Sequence, residues 1–204
     1  MTPLGAYALA IYMKLMKLLR FQREYEIEGI RIVVYGGVFD PKFSISTLAL
    51  MKNLKFRGKR VLEIGCGTGI ISIFLEKMGN YVVATEIDEE AAFCALMNAR
   101  KNGSKIDIII TDLARGIKGP FDVVVSNPPY FKGPERLSRA IFSQSSPYEA
   151  LVKEARRLNA EKLYTTVSNR SQYFENVMKF SPRFLDKVKL PREEIYVLEI
   201  DIRS

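Results

Sequence analysis

From residue 60 onward the chain alternates two kinds of apolar run. Short, nearly unbroken Val/Ile runs read as strands at 60–67, 81–88, 105–112 and 121–127. Runs with helical spacing lie between them at 70–79 and 89–103, closed by Gly79 and Gly103. Strands that are apolar on successive positions are covered on both faces, as in a parallel sheet flanked by helices. Residues 131–145 carry no regular pattern. Ser146, Pro147 and Glu149 then open a helix with a capping box. A strand at 162–168, a helix at 171–180 and strands at 184–190 and 193–202 follow. The link between the last two strands is too short for a crossover, so they pair antiparallel. The predicted fold is α/β: a doubly wound, mostly parallel seven-stranded sheet with an antiparallel C-terminal strand.

The N-terminal part follows a different pattern. Thr2 and Pro3 make a helix start. The stretch from Leu4 to about Arg23 reads as an amphipathic helix with Lys14, Lys17 and Arg20 on one side and Leu15, Leu18 and Leu19 on the other. Residues 27–39 read as a strand pair and 44–54 as a helix. The expected division is residues 1–57, a basic helix, strand pair and helix packed on the core, and residues 58–204, the ligand-binding catalytic domain.

Charge sharpens that division. The net charge is +8 over 204 residues. Residues 1–60 hold 11 Lys/Arg against 4 Asp/Glu, whereas residues 61–204 are nearly balanced. A local basic field suits a polyanion such as RNA, and equally describes a solvated surface. The longest uncharged stretch, residues 1–13, is too short to span a bilayer, and positive charges follow rather than precede it. Cys66 and Cys94 read as free thiols of a reducing compartment, so a cytoplasmic protein without membrane contact is expected. The chain has no His, which removes Ser-His-Asp and Cys-His catalysis and the usual zinc sets; no metal is expected.

Two motifs carry chemistry. "LEIGCGTG" sets Gly65, Gly67 and Gly69 at a strand end, where glycines let a ligand approach the backbone. Glu86 ends the next strand, the place for a carboxylate that accepts from both hydroxyls of a ribose. The spacing is G-x-G-x-G preceded by Glu63, not the dinucleotide G-x-G-x-x-G. Asp88 reads more readily as the N-cap of the following helix than as a site residue. The second motif is Asn127-Pro128-Pro129-Tyr130 after the fourth strand, at the same edge of the sheet. An amide or base NH2 is a poor nucleophile because its lone pair is delocalised. Two acceptors that hold both N–H groups turn the lone pair toward an electrophile. The Asn127 oxygen and the Pro128 carbonyl, stiffened by two fixed φ angles, provide such a pair. Tyr130 can stack on the planar group and Phe131 can wall the pocket. No proton-relay His is needed.

The glycine loop resembles motif I of class I S-adenosylmethionine (AdoMet)-dependent methyltransferases. The "NPPY" segment resembles the signature of their amino-methylating group, which includes RNA adenine-N6 and guanine-N2 methyltransferases and HemK-like glutamine methyltransferases. The resemblance implies AdoMet as cofactor, held by Glu63, Gly65, Cys66, Gly67, Gly69, Glu86, Ile87, Asp112, Leu113 and Asn127. It implies that Glu86 takes the ribose, Asp112 the adenine amino group and the glycine loop the methionine end. Asn127, Pro128, Pro129 and Tyr130 become the catalytic set, with Tyr130 and Phe131 stacking on substrate. The chain departs from the group where an acid is often seen near the bound methionine, and has Ser44, Ser46 and Thr47 there. Bacterial HemK-like enzymes carry a separate N-terminal helical domain, where one helix and a strand pair are expected here before the catalytic core. The leading expectation is methylation of an exocyclic base amine in rRNA or tRNA. The alternative is the glutamine of a translation release factor, for which the short form of the family works with a small zinc-binding activator subunit. A non-catalytic AdoMet-fold module is a third reading, against which the intact Asn127–Tyr130 segment stands.

Overall fold

The computed structural model describes residues 3–203. The expected Thr2 cap lies outside the described residues. The elements in order are α1 (Pro3–Leu18), β1 (Gln22–Ile27), β2 (Ile30–Tyr35), a 3-10 turn at Pro41–Phe43, α2 (Ile45–Asn53), β3 (Arg60–Ile64), α3 (Ile70–Lys77), β4 (Tyr81–Glu86), α4 (Glu89–Lys101), β5 (Asp107–Ile110) and β6 (Val123–Ser126). Then come the two-residue strands β7 (Phe131–Lys132) and β8 (Phe142–Ser143), α5 (Pro147–Arg157), β9 (Lys162–Ser168), α6 (Phe174–Met178), β10 (Arg183–Leu190) and β11 (Glu193–Asp201).

The seven-stranded sheet has the order β10-β11-β9-β6-β3-β4-β5. Strands β9, β6, β3, β4 and β5 run parallel, and β11 runs antiparallel to both its neighbours. This is the expected doubly wound sheet with its antiparallel C-terminal strand. Neighbouring residues of one strand serve opposite cores. Val61, Val123 and Val125 pack with α2, α3 and α4, while Leu62 and Val124 pack with α5 and α6. Two-sided burial is why β3 and β6 read as unbroken apolar runs; β5 departs from the expectation, because it is the edge strand and its Ile109 and Ile110 are 38 and 56% exposed. The chain leaves β3 toward β4 on one side, and β6 lies on the other. The switch point therefore falls between the carboxyl ends of β3 and β6.

The N-terminal elements differ from the pattern in the sequence. The helix ends at Leu18; Arg20 has φ 49, and the chain is a strand again from Gln22. The leucines expected to face the protein are outside: Leu15, Leu18 and Leu19 are 49, 81 and 61% exposed. Ala6, Ala10 and Met13 face inward instead, against Phe131, Ile141 and Phe142. Ala6 and Ala10 fit this face because Phe131 and Phe142 fill the space opposite, and toward its C-terminal end the helix runs close to the backbone of Gly36. A Cβ on Gly36 would stand 2.1 Å from the Met16 carbonyl oxygen. The basic residues are not one free stripe either, since Lys17 Nζ pairs with Glu90 at 2.9 Å.

The β1–β2 hairpin is held to α4 by Cys94, Asn98 and Lys101 and by Asn102 at the helix end, with Asn98 at the centre. Asn98 is fully buried; its Oδ1 accepts from Val33 N at 2.8 Å, and its Nδ2 donates to the Val33 and Thr68 carbonyls at 2.9 and 3.0 Å. The capping box of α5 is not formed as expected. Ser146 is the N-cap without a side-chain cap bond, and Glu149 accepts from Asn176 at 2.8 Å. Among the described residues no helix is long and apolar enough to cross a membrane.

Candidate active site

A cavity of about 550 Å³ opens at the carboxyl edge of the sheet, over the switch point. Open α/β sheets bind ligands there, and the size is within the range of small-molecule sites. One wall is the glycine loop. Gly65 and Gly67 sit at φ 77 and 54, conformations that cost a residue with a Cβ, and no atom lies within 4 Å of where either Cβ would be. Their backbone is left bare to a ligand. Gly69 does not line the cavity. A Cβ there would lie 3.0 Å from the Cβ of Ala95, so Gly69 brings α3 close to α4.

Glu86 closes this wall. Its Oε2 accepts from Gly67 N at 2.9 Å, and its Oε1 accepts from Ile87 N and Asp88 N at 2.8 and 3.1 Å. Ile87, Leu113 and the exposed Asp112 line the same end. Asp88 caps α4, accepting from Glu90 N and Ala91 N. Cys66 is buried, and burial pushes its thiol well above the ordinary range, so it is not a nucleophile. Glu63 is 1% exposed beneath the loop. Burial pushes its carboxyl up to about 8, against a hydrogen bond donated by Ser72 Oγ that lowers it. At neutral pH it is largely protonated.

The second wall is the segment after β6. Ser126 Oγ donates to the Ile64 carbonyl at 2.8 Å and so ties the two motif-bearing strand ends together. Asn127, Pro128, Pro129, Tyr130 and Phe131 all line the cavity. The Pro128 carbonyl has no protein donor among the described residues. The Asn127 amide is enclosed by hydroxyls. Its Nδ2 donates to Thr47 Oγ1 at 2.9 Å and Ser46 Oγ at 3.1 Å, with Ser44 Oγ at 3.4 Å. Its Oδ1 accepts from Thr166 Oγ1 at 2.6 Å. Tyr130 is half-buried with its hydroxyl inward on Thr166 Oγ1, also at 2.6 Å. Burial pushes this phenol up to about 12, so it is neutral and no base. Phe131 is 2% exposed and mostly embedded against α1.

Thus the structure gathers every residue singled out in the sequence around one cavity except Gly69. It adds Ser44, Ser46, Thr47 and Thr166, which bind Asn127, and Asn98, which holds the glycine loop. The hydroxyls at 44–47 were visible only as a departure from a pattern. Thr166, inside a Val/Thr-rich strand, carries no sequence signal.

Geometry of this kind, a bare glycine cradle with a carboxylate pinned across it at the switch point, defines a nucleotide-type ligand site on a Rossmann-like sheet. The family model "Methyltransferase small domain" matches residues 29–193. The chain belongs to the methyltransferase small domain family. A ribosomal protein L11 methyltransferase of Thermotoga neapolitana is 42% identical over 96 residues, which is 47% of this chain and 36% of that protein. A Methanocaldococcus jannaschii protein provisionally named a protein N5-glutamine methyltransferase is 40% identical over 107 residues, 52% of this chain and 53% of that protein. The chain thus spans about half the length of these relatives or less. Among solved structures, a T. thermophilus 16S rRNA N2-guanine methyltransferase with AdoMet and guanosine superposes with a TM-score of 0.67 at 24% identity, covering 89% of this chain and 50% of that one. The E. cuniculi Mtq2–Trm112 complex, described as methylating the termination factor eRF1, gives 0.63 at 23% identity and covers 80% of this chain and 98% of that one. At these identities the likeness is one of fold.

Proposed function

We propose that the protein transfers a methyl group from AdoMet to the NH2 nitrogen of a planar amide or base. The observation that carries this reading is the pairing of two acceptors at the cavity wall: the Asn127 Oδ1, with one lone pair unfilled, and the unpartnered Pro128 carbonyl. Tyr130 OH stands 3.3 Å from that Oδ1, beyond the ordinary O–H···O range, and its proton goes to Thr166.

AdoMet fits the residues present. The open cradle at Gly65 and Gly67 admits the methionine end beside Glu63, and Glu86 with Asp112 faces the ribose and adenine end. Bound there, the cofactor supplies a methyl electrophile. The chain's residues do the rest by position. Asn127 and Pro128 hold the two N–H groups and turn the lone pair out of conjugation. Tyr130 stacks on the planar group. The methylated nitrogen would carry a surplus proton, which these residues would leave to water. The wall around Asn127 offers hydroxyls and a neutral phenol, which suits positioning rather than proton abstraction.

For the amine itself we favour the side-chain amide of a protein glutamine. The two sequence relatives described above are named for methylation of proteins, and Leu4, Tyr7, Ile11 and Leu15 are exposed on the outer side of α1. An exocyclic base amine in RNA is the second reading, supported by the basic surplus of residues 1–60 and by the fold of the rRNA enzyme. The division at residue 57 and a separate activator subunit belong to the same proposal. Transfer of labelled methyl into a cell extract tests it. Label removed by protease supports the glutamine reading, label removed by ribonuclease supports RNA, and no label contradicts methyl transfer.

A further inference from the structure

The Asn127 amide meets only hydroxyls. An amide's two ends have the same shape, so the neighbours decide which way it faces, and a hydroxyl can receive either end. The choice is made by where the protons go. Tyr130 OH donates to Thr166 Oγ1 at 2.6 Å, which leaves the Thr166 proton to donate to Asn127 Oδ1 at 2.6 Å. On the other side Ser44, Ser46 and Thr47 form a linked set, with Ser44 Oγ at 3.0 Å from Ser46 Oγ and 2.7 Å from Thr47 Oγ1. Their oxygens accept the Nδ2 protons. All three are at most 6% exposed, and Thr166 is fully buried on β9.

The geometry points to Thr166 as a positioning residue for the reaction: its hydroxyl fixes the orientation of the Asn127 amide and anchors the Tyr130 ring at the same time. This rests on the methyl-transfer reading above. One side chain, outside the cavity and 39 residues from Asn127, thereby aligns both the acceptor and the stacking face. The Tyr130–Thr166 bond also keeps the phenol off Asn127. Without Thr166 Oγ1, Tyr130 OH is left with Ser46 Oγ, which already accepts from Asn127 Nδ2, and with Asn127 Oδ1 at 3.3 Å, the freer of the two. The phenol then occupies the lone pair that a substrate N–H needs.

The test compares Thr166→Val, which keeps shape and strand propensity, with Thr166→Ser, which keeps the hydroxyl. At saturating AdoMet, Thr166→Val lowers kcat about 10- to 100-fold, the size of a misplaced catalytic group. AdoMet affinity by calorimetry stays within about twofold. Thr166→Ser restores most of the rate, and adding Tyr130→Phe to Thr166→Val raises kcat above the single variant because Oδ1 is freed. Equal rates for Thr166→Val and wild type overturn the inference, as does a Thr166→Ser that is as slow as Thr166→Val. A crystal structure of Thr166→Val gives a readout free of activity. Tyr130 OH within about 3 Å of Asn127 Oδ1 supports the inference, and an unmoved phenol contradicts it. If wild type transfers no methyl to any acceptor, the methyl-transfer reading falls, and the crystallographic comparison still decides the hydrogen-bond switch.

Discussion

The backbone amide of Gly67 donates to Oε2 of Glu86 at 2.9 Å, so the glycine loop and the carboxylate at the end of β4 are bonded to each other. A carboxylate that accepts three backbone amides shapes the loop as well as facing the ligand. Removing it loosens the cradle and, under the proposed function, removes the ribose acceptor as well. Hydrogen bonds to a charged group are worth about 1.5–3 kcal/mol each. Glu86→Ala is therefore expected to weaken AdoMet binding at least tenfold, measured by calorimetry, with the circular dichroism of the fold retained. Wild-type affinity in this variant would sink the role given to Glu86.

Gly67 tests the cradle from the other side. Its Cβ position is open, and its φ of 54 disfavours other residues. Gly67→Arg places a long side chain into the ligand's space. Strain of about 1 kcal/mol leaves the protein folded, and AdoMet binding is expected to vanish. Unchanged binding would place the cofactor elsewhere.

Glu63 predicts a pH dependence of stability. Its carboxyl titrates near the ordinary 4.5 when unfolded and near 8 when folded. Below about pH 4.5 both states hold the proton; between there and pH 8 only the folded state does. Folding then takes up a proton, so this contribution to stability is lost as pH rises through the window. Glu63→Gln removes the effect while leaving an acceptor for Ser72. Urea denaturation at pH 6 and pH 9 should show wild type losing more stability than Glu63→Gln. Parallel losses would mean that Glu63 is ionised in the folded protein.

The close contact of α1 predicts a stability cost at Gly36. A Cβ there meets the Met16 carbonyl oxygen at 2.1 Å, backbone against backbone. Gly36→Ala must push the helix end away, at about 1–3 kcal/mol for overpacking. For a chain of this size that lowers Tm by several degrees. An unchanged Tm by differential scanning calorimetry would show that α1 yields without cost.

How far the sequence speaks follows from the range of each interaction. The strands and their direction were legible because burial on both faces leaves a local signature, as at Val123–Val125. The glycine loop and Asn127–Tyr130 were legible as motifs because their residues are adjacent in the chain, and the structure places both at one cavity. What binds at a distance was not. Asn98 looks like any helix asparagine, yet it spans β2 and the glycine loop. Thr166 looks like strand filler, yet it holds Asn127. The buried face of α1 was misread for a related reason. Leucines signal a core by their own size, whereas Ala6 and Ala10 are inside only because Phe131 and Phe142 fill the space opposite. Gly69 belonged to the motif by spacing, and only the nearness of Ala95 assigns it to packing.

The proposed function assigns Asn127 chiefly to the amine, with any contact it makes to the cofactor secondary. Asn127→Ala should bind AdoMet with affinity within a few-fold of wild type and show methyl transfer reduced by at least about 100-fold, the scale of removing a positioned polar contact to the reacting group. The two are measured on one preparation, by calorimetry and by labelled-methyl incorporation. Loss of transfer with binding intact is the predicted result. Undiminished turnover, or loss of both together, would contradict the account.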